Sequence, residues 1–319
     1  MRTATISSRT AFLLCELAVA SIAAAAVAQE APFQSRPITP KGEYTFNIEG
    51  PAADRQGNLY VVNFQKPGTI GKLPNGASRS ELFAVLPEGS VGNAIRFGRD
   101  GRMFVADYKK HNIFRLSADG KAVETYFHSD DFNQPNDLTV AADGTIYASD
   151  PNWKRHDGQI WRVREAPDGT VVGEKMTAGR KMSTTNGIDL SPDGKTLYVG
   201  ESDTREIWAY RIDGVQLVAA RLVKRFNDFD IDGLRTDTAG NLLVARILKG
   251  TIAVLTPEGK EKREIRLTAT EPTNLAFGGA DGKTVFVTQR KGGLIESFRT
   301  DHPGREFCLG GCGGPPKKP

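Results

Sequence analysis

The chain has 319 residues, 39% hydrophobic and 25% charged, with 42 Lys and Arg against 38 Asp and Glu for a formal net charge of +4. The basic residues are scattered rather than run together, so nucleic acid is not an expected partner. Beyond the first thirty residues no segment is apolar enough to span a bilayer, so no membrane contact is expected of the mature chain.

In chain order, the first element is a leader. Arg2 and Arg9 precede an apolar stretch from Ala11 to Val27, and Ala26-Val27-Ala28 offers the small residues that a signal peptidase needs. The stretch is short for a bilayer and contains Glu16. We expect a secretory signal over residues 1–28, cleaved after Ala28, and a periplasmic or secreted protein. Residues 29–41 read as a linker.

From residue 53 onward the chain repeats. Six segments align: ADRQGNLYVVNF (53–64), FGRDGRMFVADY (97–108), VAADGTIYASDP (140–151), LSPDGKTLYVGES (190–202), RTDTAGNLLVAR (235–246) and GGADGKTVFVTQR (278–290). Each has a turn ending in Gly and then alternating apolar residues, the pattern of a β-hairpin. The turn glycines are Gly57, Gly101, Gly144, Gly194, Gly240 and Gly282, at intervals of 44, 43, 50, 46 and 42 residues. Further strand-like runs lie between them, as in NIFRLSADGKAVETYF (112–127) around Asp119-Gly120. A recurring unit of that length with four short strands is a propeller blade. The prediction is an all-β, six-bladed β-propeller over residues 42–304.

The last unit is short of chain for its fourth strand, and GEYTFNI (42–48) stands spare before the first. This N-terminal strand is expected to complete the last blade, which removes the open edges of the end blades. Residues 305–319 read as a flexible tail, with Cys308 and Cys312 in CLGGC as a candidate small disulfide loop.

Eight residues before each turn glycine stand Glu49, Asn93, Asn136, Asn186, Asp232 and Asn274, all with a side-chain oxygen. In a propeller they would ring one mouth of the central channel. Buried amides without partners are costly, and two facing carboxylates repel until one takes a proton. A divalent cation resolves both; hard oxygen donors suit Ca²⁺ best, with Mg²⁺, Mn²⁺ or Zn²⁺ as alternatives. The competing reading is that these residues only cap strands. A second set closes the second strand of each unit: Asn63, Asp107, Asp150, Glu201, Arg246 and Gln289. Asp150 and Glu201 are candidates for supporting groups or a base acting on water, and Arg246 for holding an anionic substrate group. Otherwise they are solvated strand ends.

The stretches QPNDLTVAADGTIYASDP (134–151), TTNGIDLSPDGKTLYVGES (184–202), DIDGLRTDTAGNLLVAR (230–246) and FNIEGPAADRQGNLYV (46–61) resemble the motifs of the gluconolactonase, senescence-marker-protein and luciferin-regenerating-enzyme family. The resemblance covers roughly residues 45–290. It implies a six-bladed propeller with one divalent metal that hydrolyses lactones, a small-molecule substrate. It further implies Glu49, Asn186 and Asp232 as core metal ligands, Asn136 as a ligand or substrate contact, and Asp232 as a base. Asn93 and Asn274 match no family ligand and are assigned to the substrate pocket, with Arg246 and Glu201. Asp150-Pro151 resembles the gluconolactonase subgroup, but NWKRH follows where that subgroup has an aromatic-Gly.

The expected reaction is metal-assisted opening of a sugar lactone or related cyclic ester, with Asp232 or Asp150 accepting the proton of water. No Gly-x-Ser-x-Gly elbow occurs. The rival readings are a propeller that only binds a ligand or protein at its top face, or a phosphotriesterase or strictosidine-synthase-like activity on the same scaffold.

Overall fold

The computed structural model describes residues 31–309. The expected leader, with its expected cleavage site, and Cys312 lie outside the described residues. Six sheets follow one another along the chain, and in each the strands run outward in sequence order, except that Arg36–Pro37 is added outside the last and Thr177–Ala178, paired parallel, outside the fourth. The first strands of successive sheets contact one another in a closed cycle, which puts them around a central axis as a six-bladed β-propeller. These first strands are Tyr44–Ala53, Gly92–Phe97, Leu138–Val140, Thr185–Leu190, Leu234–Thr236 and Pro272–Gly278, for blades 1 to 6.

The local chemistry explains the repeat. All six turn glycines have positive φ, between 70° and 90°, where a Cβ would be strained. The second strands are buried almost throughout, as in Leu59–Phe64 and Leu242–Arg246, because they lie between two others and under neighbouring blades. The apolar side chains gather in six clusters, one at each junction between adjacent blades. Ile146, Ala148 and Trp161 of blade 3 meet Phe104 and Ala106 of blade 2, for example. Each blade is thus held by two wedges of apolar packing.

The ring closes through the N-terminus, but not through residues 42–48. Arg36–Pro37 forms the outer strand of blade 6, with Arg36 opposite Ser297 and Pro37 opposite Glu296. Phe33 N donates to Arg299 O at 2.8 Å and Ile38 N to Ile295 O at 2.9 Å. A proline is tolerated there because an edge strand leaves its outer side unpaired. Residues 44–48 instead begin the inner strand of blade 1, whose register shifts on both sides of Glu49. Those irregularities hid its continuity.

The start of the expected tail is also part of the fold. Residues 303–306 cross the far mouth of the channel and touch the inner strands of five blades. Thr238 N donates to Pro303 O, Gly304 pairs with Asp237, and Arg305 N donates to Thr236 O. The Arg305 guanidinium, 5% exposed, donates to Asp189, Thr139 Oγ1 and Val140 O. Glu306 reaches Arg96 at 3.5 Å. Cys308, at the end of the short Glu306–Cys308 3₁₀ turn, is disulfide-bonded to a partner outside the described residues.

Arg305→Ala leaves Asp189 buried beside a cavity. It should cost about 3–5 kcal/mol of stability, read as a lower urea midpoint.

Candidate functional site

The register eight residues before each turn glycine lies in or just before the inner strands, which contact one another around the axis. Glycines after three of these residues allow the close approach: Gly50 follows Glu49, and a Cβ on it would overlap Asn93 O and Ala94 Cα of blade 2. Gly187 follows Asn186, and a Cβ on it would press on Asp232 O and Leu234 N of blade 5. Gly233 follows Asp232, and a Cβ there would overlap the Asn274 side chain of blade 6. Adjacent inner strands therefore pack closer than side chains would permit.

Two pairs of ring residues are bonded, and two more ring residues bond the backbone that follows them. Asn186 Nδ2 donates to Asp232 Oδ1 at 2.9 Å and to Ser202 Oγ at 3.0 Å. Glu49 Oε2 accepts the Gly50 N–H at 2.9 Å. Asn274 Oδ1 accepts the Leu275 N–H, while its Nδ2 lies near the Glu49 and Asp137 carboxylates without completing a hydrogen bond to either. Asn93 Nδ2 donates to Asn136 O at 3.3 Å. Asn136, Asn186 and Asn274 are buried, whereas Glu49, Asn93 and Asp232 are half-buried and reached by solvent from the near mouth.

The electrostatics are unbalanced at this level only. Deeper in the channel, Arg96 and Arg235 both pair with Asp137, at 2.6 and 2.8 Å. Arg305 pairs with Asp189 at 2.8 Å, and Glu306 faces Arg96. At full ionisation those three arginines match three acids. Glu49 and Asp232 have no such partner: Arg290, whose charge acts on Asp232, is itself bonded to Glu271 at 2.9 Å. Burial, and then the charge of Asp232, push the Glu49 carboxyl well above the usual carboxylate range. Burial pushes Asp232 up to about 7, against the Asn186 hydrogen bond.

A divalent cation fits this donor set. The buried Asn186 Oδ1 has no hydrogen-bond partner, its Nδ2 bonds Asp232, and the Asp232 charge acts on Glu49. Among the described residues no three His, Cys, Asp or Glu cluster as a metal site. Amide oxygens would therefore have to complete the coordination, as hard cations accept.

The second set is not in the ring. Its members anchor the loop that enters each inner strand. Asp150, fully buried, accepts the N–H groups of Asn133 and Gln134 at 2.9 and 2.6 Å, Gln159 Nε2 at 2.6 Å and Trp161 Nε1 at 3.1 Å. All its lone pairs are occupied, so it has none to offer a water. Glu201 holds Arg180 in a two-armed ion pair and accepts the Ser183 N–H at 3.0 Å. Arg246 Nη2 donates to Asp228 O at 2.6 Å and to its carboxylate at 2.7 Å. Asn63, Asp107 and Gln289 likewise bind Asn47 O, Val91 N–H and Ala269 O. In this structure Asp150, Glu201 and Arg246 thus spend their polar atoms on the loops of the fold. The signal available in the sequence was position: each closes a fully buried strand beside a loop with unpaired backbone groups.

The family described as the SMP-30/Gluconolactonase/LRE-like region matches residues 47–291. A gluconolactonase of Zymomonas mobilis is 29% identical over 273 residues, spanning 75% of each chain. A diisopropyl-fluorophosphatase of Loligo vulgaris is 24% identical, spanning 82% of this chain and 91% of its own. The crystal structure of a calcium-binding protein, regucalcin, from Agrobacterium tumefaciens superposes with a TM-score of 0.70. It shares 18% identity over 86% of this chain and 95% of its own, a likeness of fold.

Two outcomes follow from the site. Between about pH 4 and 7 the native state holds protons on Glu49 and Asp232 that the unfolded chain has lost, so stability of the cation-free protein falls as pH rises through that window. Glu49→Gln should therefore raise its Tm above pH 7 by about 2–5 °C, read by calorimetry, while ending cation uptake. Asp150→Asn should lower the Tm yet leave kcat of the folded protein within about twofold, because the carboxylate acts on Asn133 and Gln134.

Proposed function

The chain belongs to the SMP-30/gluconolactonase/LRE-like family, and on that footing we propose that it is a hydrolase that opens a lactone, a sugar lactone or related cyclic ester, with the help of one divalent cation. One observation carries the reading: two partly exposed carboxylates and a partnerless amide oxygen share a ring above a channel whose other charges cancel. A propeller that only bound a partner would have no use for that arrangement. The hydrolase names of the Zymomonas and Loligo relatives support it.

Glu49, Asn186 and Asp232 would hold the cation, with Asn136 beside them; Ca²⁺ suits the oxygen donors, and Mg²⁺, Mn²⁺ or Zn²⁺ are the alternatives. Such a cation polarises an ester carbonyl and eases deprotonation of water. Asp232 accepts the proton of the attacking water, and Asn186 Nδ2 fixes the carboxylate for that task. Water oxygen bonds to the acyl carbon, and the acyl–oxygen bond breaks. Asp232 then returns the proton to the ring oxygen, which leaves as a hydroxyl on the hydroxy-acid product. Asn93 and Asn274 carry amides at the same level and can bind substrate oxygens.

We further infer export to the periplasm or medium, on Arg2, Arg9 and the apolar run to Val27. The bonded Cys308 suits an oxidising compartment.

Asp232→Asn, which keeps the side-chain volume, should reduce lactone hydrolysis in a pH-stat assay by about a thousandfold or more. Bound cation, measured by elemental analysis, should fall with it. Full turnover in a well-folded Asp232→Asn protein would overturn the mechanism, and a bound cation without hydrolysis of any lactone would favour the binding-only reading.

A further inference from the structure

The near mouth mixes polar and exposed apolar groups. On blades 3 and 4 His156 Nδ1 pairs with Asp203 Oδ2 at 2.9 Å, Thr184 Oγ1 donates to the same carboxylate, and Trp153 in the blade 3 turn is 36% exposed. On blades 5 and 1 large apolar side chains stand at the mouth. Phe229, three residues before Asp232, is 46% exposed; Leu248, in the top turn of blade 5, is 50% exposed; Phe46, three residues before Glu49, is 65% exposed. The remaining exposed large apolar residues on blades 1 and 4, Leu82, Val85 and Leu222, sit on outer strands instead.

The lip is built, not incidental. Phe229 has φ 37° and Leu248 φ 67°, a left-handed backbone that bulky side chains rarely adopt. Arg246 braces the loop that carries Phe229. Its guanidinium lies 3.6 Å from the Phe226 ring centre, and its Nη2 donates to Phe229 O at 3.3 Å. Phe46 lies under the Arg290 guanidinium at 4.7 Å, and that same charge acts on Asp232, which ties Phe46 to the ring.

Resting on the lactonase reading above, we propose that Phe46, Phe229 and Leu248 receive an apolar substituent on the lactone ring. The preferred substrate is then an alkyl- or aryl-substituted lactone rather than a fully hydroxylated sugar lactone. Methylenes gain by leaving water for the lip, whereas sugar hydroxyls turned toward Phe and Leu would lose water without new partners.

The test compares three δ-lactones on the full protein with its cation: δ-decanolactone, δ-valerolactone and D-glucono-δ-lactone. The first two share a ring and differ by a pentyl chain. Wild-type kcat/KM should favour δ-decanolactone over δ-valerolactone by about tenfold or more. The ratio should fall toward one in Phe46→Ser, and in Phe229→Asn, chosen because Asn accepts positive φ. Leu82→Ser, on the outer strand of blade 1, should leave it unchanged. Hydrolysis of all three without preference, or a ratio untouched in both lip variants, would overturn this inference while leaving the lactonase reading intact. No hydrolysis of any lactone would remove the lactonase reading and this inference with it.

Discussion

Two carboxylates share a low-dielectric channel mouth without a cation of their own, and most of the molecule can be understood as arranging that. The deeper channel is neutral by pairing: Arg96 and Arg235 on Asp137, Arg305 on Asp189, Glu306 on Arg96. None of those arginines is left to neutralise Glu49 or Asp232. The cost of the unpaired acids is met by protonation or by an incoming positive charge, and only the second leaves Asp232 able to take a proton from water. Stability and activity pull this site in opposite directions.

The same blade register serves two purposes. At the start of each inner strand it carries oxygen-bearing side chains to the axis. At the end of each second strand it carries a polar group that pins the entering loop. Asp150 and Asp232 illustrate the difference. Both are acidic and both are raised by burial, but Asp150 accepts four donors and Asp232 accepts one strong amide. Raised acidity alone does not mark a reactive group; the free lone pairs do.

Periodic features were readable from residues alone, because a repeat averages over local irregularity. Six turn glycines at a nearly constant spacing imply six blades, and counting back from them finds the ring. What the repeat does not contain was lost. Arg36–Pro37 is two residues long and shows no alternation, so nothing marked it as a strand. Arg305 and Glu306 are charged and border a Gly- and Pro-rich end, which is the composition of a tail; their burial depends on partners more than a hundred residues away. Asp150, Glu201 and Arg246 looked reactive because side-chain type was visible and the backbone groups they bind were not. Gly187 and Gly233 looked like ordinary glycines, since their reason lies in a neighbouring blade.

The strap formed by residues 303–306 makes the tunnel a blind pit. Whatever enters past Phe46 and Phe229 must leave by the same door, and a hydroxy acid still seated there bars the next arrival. An enzyme of this shape is expected to be slowed by its own product in direct competition with substrate.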